Sequence, residues 1–159
     1  MVKIIAVLII ITAGASFGAV LSNDEKKELE EGEELLKLVS YVSRNIESRS
    51  APLFEIFESY FSEENGAFSK KLRDMRGNYG EKLEKISKEL FPKETNRELE
   101  SFFKTLGKTD RETQIKFAIN AKNSLEKSLM EKRKEYISKS KLYKILPILI
   151  SCVAALLLY

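Results

Sequence analysis

The chain has 159 residues, 32% of them charged, yet its formal net charge is only +3, which gives no electrostatic case for a nucleic-acid partner. It has no histidine and one cysteine, Cys152, which excludes a Cys/His metal site, an intrachain disulfide and serine–histidine or cysteine–histidine nucleophilic chemistry. Carboxylates are scattered along polar helix faces with no pair marked as buried, so the chain is read as a non-enzyme without a cofactor.

The first element is the uncharged run Ile4–Leu21, which as a helix would extend about 27 Å. A transmembrane helix over residues 1–21 is expected. The rival reading is a signal peptide, with an apolar Ile4–Thr12 and a small-residue cleavage site at Ala13-Gly14-Ala15. That reading would make the protein an exported, membrane-tethered structural or adhesion protein. Lys3 is a meagre basic flank and the apolar run continues past the cleavage site, which favours the anchor. Gly14 and Gly18, flanked by Ala15 and Ala19, form a small-residue face suited to close packing against the chain's own second span or a neighbouring subunit.

The middle, residues 22–130, has helical periodicity throughout and no strand-like alternation, so the fold class is all-α. Ser22 and Glu25 stand at capping-box spacing and predict a helix restarting there, with Leu35, Val39, Val42 and Ile46 along its inner face. The acidic opening, Asp24–Glu34, is read as a solvated face near the positive end of that helix, with a docking site for a basic partner as the alternative. Pro52 predicts a second helix start, with Leu53, Phe57, Tyr60 and Phe61 on one side and Phe54 and Ile56 broadening it. Phe68, Leu72 and Met75 predict a short third helix, and Leu83, Ile86 and Leu90 a fourth that ends before Pro92. Thr95 and Glu98 form a second capping box, ahead of Leu99, Phe102, Phe103 and Leu106. All but one of the 9 phenylalanines lie between Phe54 and Phe117, and they are the expected core of a small bundle. A third box, Thr109–Glu112, predicts the start of a last helix with Ile115, Ile119, Leu125 and Leu129 along one stripe.

Residues 131–144 follow as a lysine-rich stalk: Lys132, Arg133, Lys134, Lys139, Lys141 and Lys144 face two glutamates. The apolar segment Ile145–Tyr159 covers about 22 Å, and Leu142 and Tyr143 extend it if Lys144 snorkels toward the headgroups. A second transmembrane helix over residues 145–159 is expected, with Pro147 a kink if the helix runs straight through. The positive-inside bias then places the middle domain in the cytoplasm, and the same lysines suit an anionic bilayer surface.

One stretch carries more identity than the rest: Leu106-Gly107-Lys108-Thr109-Asp110-Arg111-Glu112-Thr113-Gln114. It resembles the Leu-Gly-x-(Ser/Thr)-Asp-Arg-Glu-x-Gln turn of the stage III sporulation protein AB family. Pro52-Leu53 after Ser50 and the Lys141-Leu142-Tyr143-Lys144 entry to the last segment are similar to that family in order and spacing. The signature residues carried over are Leu106, Gly107, Thr109, Asp110, Arg111, Glu112 and Gln114. Gly107 is expected in a left-handed conformation and Thr109 as a helix cap, while Arg111 and Gln114 have no capping role. The resemblance implies a two-pass membrane platform subunit, similar to the inner-membrane platform of type II secretion. It would couple a cytoplasmic sporulation ATPase to other membrane proteins of the mother cell–forespore channel. With one such domain per chain, self-association into at least a homodimer is expected. The last segment departs from the family in having Pro147 and no glycine.

Overall fold

Between Val2 and Ser48 the chain has no proline; serine, asparagine and aspartate each cost only a few tenths of a kcal/mol in a helix interior, and Gly14, Gly18 and Gly32 about 1 kcal/mol each, which packing can offset. In a computed structural model of the chain, which describes residues 2–48, 52–64, 66, 69–70 and 79–158, this stretch is the single helix α1, Val2–Ser48. The restart expected at Ser22 does not occur. Ser22 lies inside α1 and is buried, so its side chain caps nothing.

Among the described residues four further long helices follow: α2 (Leu53–Glu63), α3 (Tyr79–Leu90), α4 (Lys93–Thr105) and α5 (Arg111–Leu158). Every helix start among α2 and α4 is set by proline. Pro52, at φ −57° and ψ 140°, stands just before α2 and its carbonyl accepts from Glu55 and Ile56 N–H at 3.0 and 3.2 Å. Pro92 does the same for α4, its carbonyl accepting from Asn96 at 3.0 Å. The Asn96 side chain in turn donates to the Phe91 carbonyl at 2.6 Å, closing the end of α3. The box expected at Thr95 and Glu98 is therefore corrected: α4 begins at Lys93, and Thr95 is a buried residue of its first turn. The third helix expected over Phe68–Met75 lies largely outside the described residues, of which Ser69 and Lys70 are helical.

The chain divides into two compact units, one of residues 1–29 with 131–159, the other of residues 30–130, with α1 and α5 contributing to both. The second unit is built as the periodicity dictates. Leu35, Leu38, Val39 and Val42 of α1, Ile56, Phe57, Tyr60 and Phe61 of α2, Leu83 and Ile86 of α3, and Leu99, Phe102 and Phe103 of α4 are all buried and make up its core. Rings pack at tilted and edge angles: Tyr41 with Tyr60 at 5.3 Å and Phe102 with Phe103 at 5.4 Å are tilted, and Tyr60 meets Phe61 edge-on at 5.6 Å. Two expectations are corrected. Phe54 stands 65% exposed, one position off the α2 face. On α5 the buried stripe is Ala118, Ala121, Leu125 and Leu129, with Ile119 exposed, because small residues let α5 sit close. At Gly32, a side-chain carbon would come within 2.8 Å of Leu129 and 3.0 Å of the Phe91 ring, so α1 also approaches closely there.

The other unit pairs the N-terminal part of α1 with the C-terminal part of α5, which runs unbroken past Pro147. Among the described residues, no helix is long and apolar enough to cross a membrane. Most side chains of Ile4–Leu21 and those of residues 154–159 lie outside the described residues. The C-terminal run is by itself about 22 Å long, short of a hydrocarbon core of about 30 Å.

Candidate functional site

The Leu106–Gln114 turn joins α4 to α5 and belongs to the residue 30–130 unit. Leu106 caps α4, its N–H bonded to the Phe102 carbonyl at 3.1 Å. Gly107 follows at φ +70°, the left-handed region that glycine enters without a Cβ penalty. A side-chain carbon there would also stand 2.7 Å from the Leu53 side chain of α2. Lys108 N–H then returns to the Thr105 carbonyl at 3.0 Å.

The cap of α5 is Asp110 rather than Thr109. Its carboxylate accepts from the Thr113 backbone N–H at 2.9 Å and from the Thr113 hydroxyl at 2.8 Å. Those bonds, the backbone one foremost, hold the Asp110 carboxyl below the usual carboxylate range. The Thr109 hydroxyl instead donates to the Thr105 carbonyl at 3.4 Å. The reason is chemical: an ionised carboxylate one residue later satisfies the first-turn donors with two oxygens and complements the helix dipole.

Gln114 and Arg111, which capping left unassigned, both receive roles. The Gln114 amide oxygen accepts from Gly107 N–H at 3.3 Å, and its nitrogen donates to the Thr109 carbonyl at 2.6 Å. One side chain thus ties both ends of the turn. Arg111 donates through Nη2 to the Glu47 carbonyl, an unsatisfied group in the last turn of α1. Glu112 is exposed in the first turn of α5. The signature is a local lock whose outer face, Lys108 to Glu112, is open to solvent.

In the other unit the structure sorts the basic residues into two groups. Lys132 pairs with Glu28 at 3.1 Å, and Lys139 with Glu25 at 3.3 Å and Glu135 at 3.4 Å. The hydrogen bond and charge of Glu25 raise the Lys139 pKa. Tyr143 also donates to Glu25, at 3.2 Å. The acidic run Asp24–Glu34, which lies in the middle of α1 and not at a helix start, therefore supplies Glu25 and Glu28 as partners for α5 and is not simply a solvated face. Lys134 and Lys141 remain exposed, Arg133 is exposed, and the Lys144 side chain lies outside the described residues.

Gly14 and Gly18 face α5 in this unit. A side-chain carbon at Gly14 would overlap the Ser151 hydroxyl and lie 3.0 Å from the Pro147 carbonyl. At Gly18 it would overlap the Tyr143 carbonyl and stand 3.1 Å from Pro147 Cγ. Ser151 donates to the Pro147 carbonyl at 2.7 Å. Sequence reasoning did not single out Pro147 and Ser151 as the partners of the glycines, because nothing local to either segment specifies the antiparallel register. Among the described residues no group of His, Cys, Asp or Glu is placed to hold a metal ion.

These features define an all-helical protein whose two end segments pair and whose remaining helices share one aromatic core, closed by a hydrogen-bonded turn. Residues 3–159 match the stage III sporulation protein AB family, and the chain belongs to that family. The match covers the signature turn and both apolar ends. No curated protein and no solved structure matches the chain.

Proposed function

We propose that this sporulation protein is a non-enzymatic, two-pass membrane platform subunit that couples a cytoplasmic ATPase to membrane partners in the channel between mother cell and forespore. The observation that carries the reading is the family match over residues 3–159, which includes the apolar segments at both ends. The geometry agrees with it in two respects. Gly14 and Gly18 bring backbone against backbone at Pro147, the kind of contact by which helices associate in lipid, where no hydrophobic force drives them together. The exposed signature face, held by Gln114 and Asp110, offers a rigid surface on which an ATPase could act. In this reading the residue 30–130 unit lies in the cytoplasm on the mother-cell side, and the subunit works as a homodimer or higher assembly.

The test is topology. In a Cys152→Ala background, a cysteine at the exposed Ser62 is challenged in intact cells with a membrane-impermeant thiol reagent. Labelling only after permeabilisation is expected. Labelling of intact cells would place the unit outside and remove the platform reading. Lys108→Glu and Glu112→Lys variants then test coupling, with loss of ATPase co-purification expected.

A further inference from the structure

The lysines of α5 between residues 131 and 144 divide by helix face. Lys132 and Lys139 lie on one side, Lys134 and Lys141 on the other, because an offset of two positions is about 200° of rotation. The first pair is neutralised by Glu28 and Glu25. The second pair is exposed and makes no ion pair among the described residues. Glu131, one turn before Lys134, is not bonded to it.

Lys134 and Lys141 border a shallow groove of 480 Å³ with Ile137, Ser138 and Leu142. Ile137 is 53% exposed and Leu142 57%, and the apolar surface continues through Ile145 and Leu149. Both charged groups of the groove are cationic, so a second copy of this chain presenting the same face to it would bring lysine against lysine. An occupant with an anionic head and an apolar body satisfies both parts. We propose that this face of α5 is a binding site for an anionic phospholipid, with its phosphate between the Lys134 and Lys141 ammonium groups and its acyl carbons along Ile137, Leu142 and Ile145. The proposal rests on the membrane reading above and assigns it a lipid class and two residues. Lysine suits the role, since its stem follows apolar surface while its charge reaches the headgroup layer.

The experiment reconstitutes the full chain in vesicles of phosphatidylcholine alone and of phosphatidylcholine mixed in equal parts with phosphatidylglycerol. Flotation reports membrane association, and native mass spectrometry of protein released from the mixed bilayer reports which lipid it retains. Retained phosphatidylglycerol should exceed phosphatidylcholine. Lys134→Gln or Lys141→Gln should each lower that preference about five-fold, and the double variant about thirty-fold. A Glu28→Gln/Lys132→Gln variant, which leaves net charge unchanged, should retain it. Equal retention of the two lipids by the wild type, an unaffected Lys134→Gln/Lys141→Gln variant, or equal loss in the Glu28→Gln/Lys132→Gln variant would each overturn the site. Flotation with both vesicle types but without lipid preference would sink this site alone. Failure to float with either would sink the membrane reading as well.

Discussion

Gly18 packs against the carbonyl of Tyr143, the group whose helical hydrogen bond Pro147 cannot supply. The bare Cα of α1 covers a backbone oxygen that α5 leaves open. Any side chain at residue 18 meets main chain, which cannot rotate away. At residue 14 the nearest obstacle is the Ser151 hydroxyl, which can be removed, and the Pro147 carbonyl stands farther off at 3.0 Å. Gly18→Ala should therefore destabilise the helix pair by about 1–3 kcal/mol, the usual cost of overpacking. Gly14→Ala should be largely restored by a second substitution, Ser151→Ala, whereas Gly18→Ala should not. Thermal melts of the full chain in detergent, followed by circular dichroism, distinguish the two. Rescue of both variants by Ser151→Ala would contradict the packing described.

Thr95 and Ser128 share a buried hydrogen bond of 2.6 Å, and Ser124 donates to Thr95 at 3.2 Å. Thr95→Val strands the Ser128 and Ser124 hydroxyls and should cost about 1–3 kcal/mol, whereas Ser128→Ala leaves Thr95 bonded to Ser124 and should cost less. The double variant should cost clearly less than the sum, because both ends of the bond leave together. Urea titrations of the four proteins provide the cycle, and strict additivity would rule out coupling.

Stability should respond to pH at both extremes. Burial, with the charges of Glu64 and Glu34, pushes the Tyr60 hydroxyl up to about 12 from 10.0. A raised acid pKa in the folded state means its stabilisation is complete below pH 10 and is lost as pH rises toward 12. Tyr60→Phe should flatten that alkaline arm in urea midpoints and, by losing the bond to the Glu34 carbonyl, cost about 1 kcal/mol at neutral pH. Asp110 has the opposite sign. Its depressed pKa makes its contribution complete above the ordinary carboxylate value, and that contribution fades as pH falls from there through the lowered value. Asp110→Asn should remove this acid dependence while keeping a side-chain cap.

Gly107→Ala should cost about 1–2 kcal/mol from its φ of +70° alone, before the Leu53 contact is counted. Pairing it with Leu53→Ala should recover the contact part and leave the backbone part. Complete recovery would show that φ is not the constraint.

The helical class, the inner faces of α1 to α4 and the left-handed Gly107 were legible because each follows from residues within a turn or two of one another. What was misread was equally local in form but decided elsewhere. Ser22 and Thr95 look like caps, yet both are buried in packed faces, and the helices start where proline places them or do not stop at all. Thr109 and Asp110 are adjacent candidates for one cap, and only the geometry of Thr113 chooses between them. On α5, Ile119 outweighs Ala118 in any hydrophobicity pattern, but close helix approach buries the alanine and leaves the isoleucine outside. The Glu25–Lys139 and Glu28–Lys132 pairs join residues more than a hundred positions apart, and no periodicity in either segment reveals such a register.

The turn that Gln114 ties together also joins two time regimes of folding. Its bond to Gly107 closes 7 residues, while the Arg111 bond to the Glu47 carbonyl closes 64. The longer closure costs about 2 kcal/mol more in chain entropy, so it belongs to the late steps of assembly. Gln114 should then govern how fast α4 and α5 come together, and Arg111 how slowly the finished unit comes apart.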